Sequence, residues 1–430
     1  MKKTNLSKYL IIILLSFLLF QDLIESIIKI NFIGYIDEIF IIAFFILSII
    51  NILSTKKINV ISIYLILFLL LFSILGIISC YINSSFNLKN VILSNFISIK
   101  FWLLVFSIIN LNFKEKTLNN IKDSLEFLGF VVASFAIVNL VLQDKYYSLL
   151  PISPMYRFGI ISVNSLFGHP GRYGWFMLFM TIYYFSQYKI NNKKEFLSRM
   201  IVFAVLSLLS LRTKVIIGLV MILLVDFFVN RKFRFNFKKI FIVIFITGLL
   251  LFSFKNVIKN TYKLYFNDNE KEARVVLNKQ SIYIMKRYFP FGVGFGKYGS
   301  YLAKVNYSEY YYLYGFYKIY GLKPQKSNYA TDTFWPAIIG ETGFLGLVLY
   351  IGIMLYLLNY LKKSYLYNKT IFGIFGFLAY IQSICESLGE PSFNSPPQNV
   401  FLAIVVGLSI STYLIQNKIH IENNIKEFKK

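Results

Sequence analysis

Residues 60–81 read VISIYLILFLLLFSILGIISCY, a run without a single charge, preceded by Lys56 and Lys57. A hydrocarbon core about 30 Å thick is spanned by about 20 apolar residues in a helix, which is the length found here. Comparable runs recur at about 9–28, 36–54, 90–111, 124–143, 166–188, 197–211, 213–229, 240–255, 334–358, 371–388 and 399–416. Together they predict an all-α, polytopic membrane protein of about 12 transmembrane helices. The 430 residues are 57% apolar and 19% aromatic, and only 15% are charged. That composition leaves no space for a large soluble domain and excludes a cytosolic enzyme.

The charge balance is 45 Lys+Arg against 20 Asp+Glu. Such an excess can signal nucleic-acid binding, but here the cations sit in short clusters between apolar runs. With a cytoplasmic N-terminus the clusters at 2–8, 56–57, 114–122, 189–194, 231–239, 362–369 and 418–430 all face the cytoplasm, as the positive-inside rule requires. Both termini are therefore expected in the cytoplasm, and nucleic acid is not an expected partner. Cys80 and Cys385 both lie in apolar runs, so no disulfide framework is expected. No small-residue cleavage site follows the first run, which reads as a retained span.

One segment breaks the rhythm. Residues 256–333 form a hydrophilic extracytoplasmic loop carrying 14 of the 32 tyrosines. The chain thus divides into 1–255 with nine spans, the large loop 256–333, and 334–430 with three spans and a cytoplasmic tail. A loop of this length is usually functional or disordered, and its Tyr and Phe content argues against disorder. Helical spacing over Glu272–Tyr288 ends at Pro290, before Gly292-Val-Gly294-Phe-Gly296. The glycines suit a tight turn that lets backbone approach a neighbour or a ligand. Tyrosines here suit both stacking on sugar rings and anchoring at the membrane surface.

Ionisable residues gather at the outer ends of the spans. Arg157 and Arg172 bracket His169-Pro170, where the sixth span starts; guanidinium groups beside free helix-start N–H groups make a phosphate site. Arg212 lies in Ser210-Leu-Arg212-Thr213, where the chain dips between two abbreviated spans, and suggests a water-filled outer cavity. Arg274 opens the helical part of the loop. Asp332 precedes the tenth span, and Glu341 lies about two turns inside it. A carboxylate at that depth demands a partner, with an arginine from another span as the ordinary one. Lys100, in mid-span, is expected to snorkel or to have a structural partner; Asp37, Glu38, Glu386 and Glu390 are available counter-charges. No His/Cys/Asp/Glu grouping has metal-site spacing, so neither metal nor cofactor is expected.

Four of these segments, in order, resemble the bacterial O-antigen polymerase/ligase superfamily. They are Arg157-Phe-Gly159 through Phe167-Gly-His-Pro170-Gly171; Ser210-Leu-Arg212-Thr213; Arg274 with Pro290–Gly296; and Asp332-Thr333 with Glu341–Gly346. The match covers about 150–350. Asp332 stands where the family has a histidine, and Gly171 where asparagine is common; no catalytic histidine carries over there, which weakens the ligase reading more than the polymerase one. The resemblance implies a metal-independent, inverting glycosyltransferase of the bacterial cytoplasmic membrane that builds an O-antigen- or capsule-like surface polysaccharide. Its partners would be a polyprenyl-pyrophosphate-linked oligosaccharide, membrane lipid and a chain-length regulator. Such transfer needs the departing diphosphate stabilised, a task suited to Arg157, Arg172, Arg212 and Arg274. It also needs a general base on the acceptor side, for which Asp332, then His169, then Glu341 are candidates. A ligase with another acceptor and a lipid-linked-oligosaccharide flippase are the rival readings. The absence of visible repeats and of a polar path through the spans counts against the flippase.

Overall fold

The structure is a computed structural model and describes residues 2–83, 87–111, 113–157, 159–229, 255, 259, 272–368 and 370–428. Five long helices come first: α1 (Lys2–Ile28), α2 (Ile36–Thr55), α3 (Val60–Asn83), α4 (Leu88–Asn110) and α5 (Glu115–Leu142). A short α6 (Asp144–Leu149) leads to a hairpin of β1 (Tyr156–Arg157) and β2 (Ile160–Ile161), paired antiparallel. Then follow α7 (Pro170–Asn191), α8 (Lys194–Leu208) and α9 (Thr213–Val229). A cap carries α10 (Ala273–Arg287), α11 (Tyr301–Val305) and α12 (Glu309–Leu313), and the chain closes with α13 (Trp335–Lys363), α14 (Ile371–Glu386) and α15 (Gln398–Phe428). The helix expected over 272–288 is α10.

Among the described residues seven helices, α1–α5, α13 and α15, are long and apolar enough to cross a membrane. The protein is an all-α, polytopic membrane protein. Eleven of the twelve apolar runs coincide with helices; the run 240–255 lies outside the described residues except for Lys255. The helices outside the seven are shorter or more polar, and α7 shows why that is tolerated. It is buried against α5, α8, α9 and α14, so protein rather than lipid surrounds its polar groups. The Tyr183 hydroxyl donates to Glu126 Oε1 of α5 at 2.9 Å, and Gln187 Nε2 donates to the Tyr183 hydroxyl at 2.8 Å. By contrast α2, α3 and α5 leave Ile46, Leu47, Leu70, Leu71 and Ile137 exposed, as lipid-facing surfaces would.

Lys100 of α4 has a structural partner, as expected. Its ammonium is 2.8 Å from both Asp37 Oδ2 and Glu38 Oε1 of α2, and its side chain is 3% exposed. The cap has its own small core, in which Leu277, Ile284, Tyr298, Tyr311 and Phe316 pack together. The buried tyrosines are tied by their hydroxyls: Tyr298 donates to Leu277 O at 2.9 Å, and Tyr311 accepts from the Gly299 N–H at 3.0 Å. Several loop tyrosines are therefore the cap's core rather than its binding surface.

Candidate functional site

Two knots of side chains hold the site end of the bundle. The first is the glycine run. Helix α13 is interrupted at Gly343, whose φ is +63°, and the segment Pro290–Gly296 feeds into that break. Val293 N–H donates to Gly340 O at 2.8 Å, Gly294 N–H to Glu341 O at 2.9 Å, and Leu345 N–H to Pro290 O at 3.2 Å. A Cβ on Gly292 would come within 2.5 Å of Gly340 O, and one on Gly294 within 2.5 Å of Cys80 Sγ of α3. The glycines thus serve backbone-to-backbone packing against α13 and α3.

Glu341 locks this arrangement. Its Oε1 accepts from Lys297 N–H at 3.0 Å and Tyr298 N–H at 3.1 Å, and its Oε2 from Ser94 Oγ of α4 at 3.2 Å. The residue is 1% exposed. The arginine partner anticipated from its depth is not what holds it: two backbone amides and a hydroxyl do, because the re-entrant glycine turn brings unpaired N–H groups into the helix break.

The second knot gathers charge from five separated stretches. Between α8 and α9 the chain reverses at Leu211, whose φ is +50°, and Val163 N–H binds Leu209 O at 3.1 Å. Gly174 of α7 makes room for this turn, since a Cβ there would lie 2.4 Å from Ser210 Oγ. The hairpin thereby meets the turn: Arg157 Nη1 donates to Leu211 O at 3.1 Å, and Arg212 Nη2 lies 3.5 Å from Met155 Sδ. One residue further, Lys214 is 2.5 Å from Glu386 Oε1 and 2.6 Å from Glu390 Oε2. Arg274 reaches across from α10 to Asp332 Oδ2 at 2.9 Å, both side chains being about a third exposed, at 32% and 28%.

His169 caps α7, its Nδ1 accepting the Gly171 N–H at 3.0 Å. That bond leaves Nε2 carrying the proton, so the neutral ring is a donor toward the site. Burial, then the positive field of Arg212, with Lys214 and Arg157 adding to it, pushes its pKa down to about 4. Glu390 is the hub. Burial alone would raise its carboxyl, but Lys214, His169 and Arg274 outweigh that and hold it below the usual carboxylate range. The same carboxylate lies 3.7 Å from where a Gly171 Cβ would stand.

Arg157, His169, Arg212, Arg274 and Asp332 are thus brought into one electrostatic neighbourhood. Arg172 borders this neighbourhood, pairing with Asp22 of α1 while lying in the field of the Glu390 carboxylate. Glu341 is placed otherwise, in the glycine knot. Lys214 was not among the sequence candidates. At the second position of an apolar run it reads as a snorkelling cation, and its role becomes visible once Glu386 and Glu390 are seen to meet it. Among the described residues no group of His, Cys, Asp and Glu could hold a metal.

The fold defines a multi-pass membrane protein, and the cluster gathers cations from separate segments at one end of its bundle. Residues 197–351, about a third of the chain, match the family model described as O-antigen ligase. The matched stretch carries Arg212, Lys214, Arg274 and Asp332. The match supports a role in surface-polysaccharide assembly. No curated protein matches the chain.

Proposed function

We propose that the protein is a polymerase of surface polysaccharide at the outer face of the bacterial cytoplasmic membrane. It transfers a glycan from a polyprenyl diphosphate to a lipid-linked repeat-unit acceptor. The observation that carries this reading is the meeting of Arg157, Arg212, Lys214 and Arg274 from the hairpin, the α8–α9 turn and the cap around Glu390. A diphosphate leaving group needs preorganised cations in a site shielded from bulk water.

In the reaction, the acceptor hydroxyl oxygen forms a bond to the anomeric carbon as the bond from that carbon to the diphosphate oxygen breaks. The bonding pair leaves with the polyprenyl diphosphate, whose new charge is met by the guanidinium groups and the His169 Nε2–H. The hydroxyl proton passes to Asp332, and one-step displacement inverts the anomeric centre. The Arg274–Asp332 pair fits an ordered sequence. Arg274 turns from Asp332 to the incoming diphosphate, and the carboxylate, released from its cation, is free to accept the hydroxyl proton once the donor is seated.

The family description favours a second reading, in which the acceptor is another lipid and the protein is a ligase. The test is the product pattern in the producing strain. Arg157→Ala, Arg212→Ala or Arg274→Ala leaves the protein in the membrane and reduces product to single repeat units exposed outside. Long chains accumulating on the polyprenyl carrier would instead mark a ligase, single units trapped inside a flippase. Normal long-chain product in all three variants would overturn the assignment.

A further inference from the structure

A cleft of about 530 Å³ opens beside the charged site, between the ends of α1 and α2, the middle of α4, the cap, and the 391–396 loop. Its volume falls within the roughly 300–1,000 Å³ of small-molecule sites. It shares walls with the site: Thr331 and Thr333, on either side of Asp332, line it, as does Pro391 next to Glu390.

The chemistry of the two compartments differs. The charged residues lining the cleft are Glu25, Glu38 and Lys100, and Lys100 is already neutralised by Asp37 and Glu38, each at 2.8 Å. An anion is therefore unwelcome there. Three buried polar atoms on its lining residues, Glu38 Oε2, Thr333 Oγ1 and Asn394 Oδ1, have no hydrogen-bond partner in the protein. Thr333 is 2% exposed. Buried polar atoms of this kind are rare unless something binds them, and all three accept hydrogen bonds. A ligand that satisfies them carries several O–H or N–H donors and no negative charge. Tyr35 and Tyr301, both more than half exposed, add aromatic faces to the rim, and the C–H face of a sugar ring packs on such a surface.

We propose that this cleft is the acceptor-side glycan subsite, holding neutral or amino-substituted sugar rings and presenting the reacting hydroxyl to Asp332. The inference rests on the transferase reading above and adds the class of acceptor: uronic acids and other acidic sugars are excluded from the rings seated here.

Binding to the purified full-length protein in nanodiscs tests it with two probes. One is the lipid-free repeat-unit oligosaccharide released from the polysaccharide of the producing strain; the other is sugar-free undecaprenyl diphosphate. The near-isosteric Thr333→Val, combined with Asn394→Leu, weakens oligosaccharide binding about tenfold or more, and the cleft-filling Ser395→Trp abolishes it. Both leave diphosphate binding unchanged. Arg212→Ala does the reverse. If the oligosaccharide binds all cleft variants as it binds the unaltered protein, or does not bind the unaltered protein at all, the cleft assignment is overturned while the diphosphate site stands. If cleft variants lose the diphosphate, the cleft belongs to the donor. If Arg212→Ala keeps full diphosphate affinity while the oligosaccharide still follows the cleft, the transferase reading of the charged site is at fault instead.

Discussion

Glu341 and Glu390 are carboxylates at the same end of the bundle, one fully buried and one partly exposed, yet they do opposite things. Glu341 is 1% exposed, and its partners are two backbone amides and a serine hydroxyl. Glu390 is 31% exposed at its side chain and faces Lys214, His169 and Arg274, each from a different segment. The first is a clasp whose partners are used up within the fold. The second meets side chains from three separate segments, Lys214 and Arg274 among them as cations. Depth of burial alone does not mark a functional carboxylate in a membrane protein; the kind of partner does.

Substitution sharpens that contrast. The largest expected effect is on catalysis: Arg212→Ala or Arg274→Ala slows transfer about a hundred- to a thousandfold, the usual cost of removing one preorganised donor. Membrane abundance and melting temperature stay close to those of the unaltered protein, and quantifying lipid-linked intermediates in isolated membranes checks it. Next comes Glu341→Ala, which strands two buried N–H groups and a hydroxyl at about 1–3 kcal/mol each. Its signature is a sharp fall in the thermal unfolding temperature in detergent, with Glu341→Gln intermediate because an amide oxygen still accepts. A Glu341→Ala protein that melts normally but is inactive would move Glu341 into the reacting site and erase the contrast.

A smaller effect concerns His169. Its pKa is pushed down to about 4 from the ordinary 6.5, by burial and by Arg212. The neutral ring is therefore favoured in the folded protein. Its contribution to stability is complete above about pH 6.5 and is lost as pH falls toward about 4. Transfer accordingly shows no inflection attributable to an imidazole between pH 6 and 8, and His169→Asn, which preserves the helix cap but removes the Nε2–H donor, slows transfer less than Arg212→Ala does because the lost donor is uncharged. An inflection near pH 6.5 that disappears in His169→Asn would restore the histidine as a general base. The smallest effect is at Arg172, held by Asp22: Arg172→Lys changes the transfer rate by about threefold at most, since lysine keeps the charge and this partly exposed pairing.

These differences bear on what a sequence can disclose. Apolar run length locates the spanning helices because the bilayer imposes a length on any segment it surrounds. It is less informative for α7, where burial in protein removes that demand. Glycine spacing and Pro290 mark a turn, but whether its backbone meets a ligand or a neighbouring helix depends on the break at Gly343, which a continuous apolar pattern conceals. Arg157 and Arg212 stand out because cations are rare at the outer ends of the spans, and Arg274 because it opens the helical part of the loop. Lys214 does not, since its value lies in Glu386 and Glu390, 172 and 176 residues further along the chain. Sites assembled from several segments leave a trace only in residues whose placement is costly by itself.

The account is tested most directly by a structure of the protein with undecaprenyl diphosphate. It predicts both phosphates among Arg157, Arg212, Lys214 and Arg274, with nitrogen–oxygen contacts of about 2.7–2.9 Å and Arg274 released from Asp332. Phosphate density in the neighbouring cleft beside Glu38, with the Arg274–Asp332 pair intact, would contradict it.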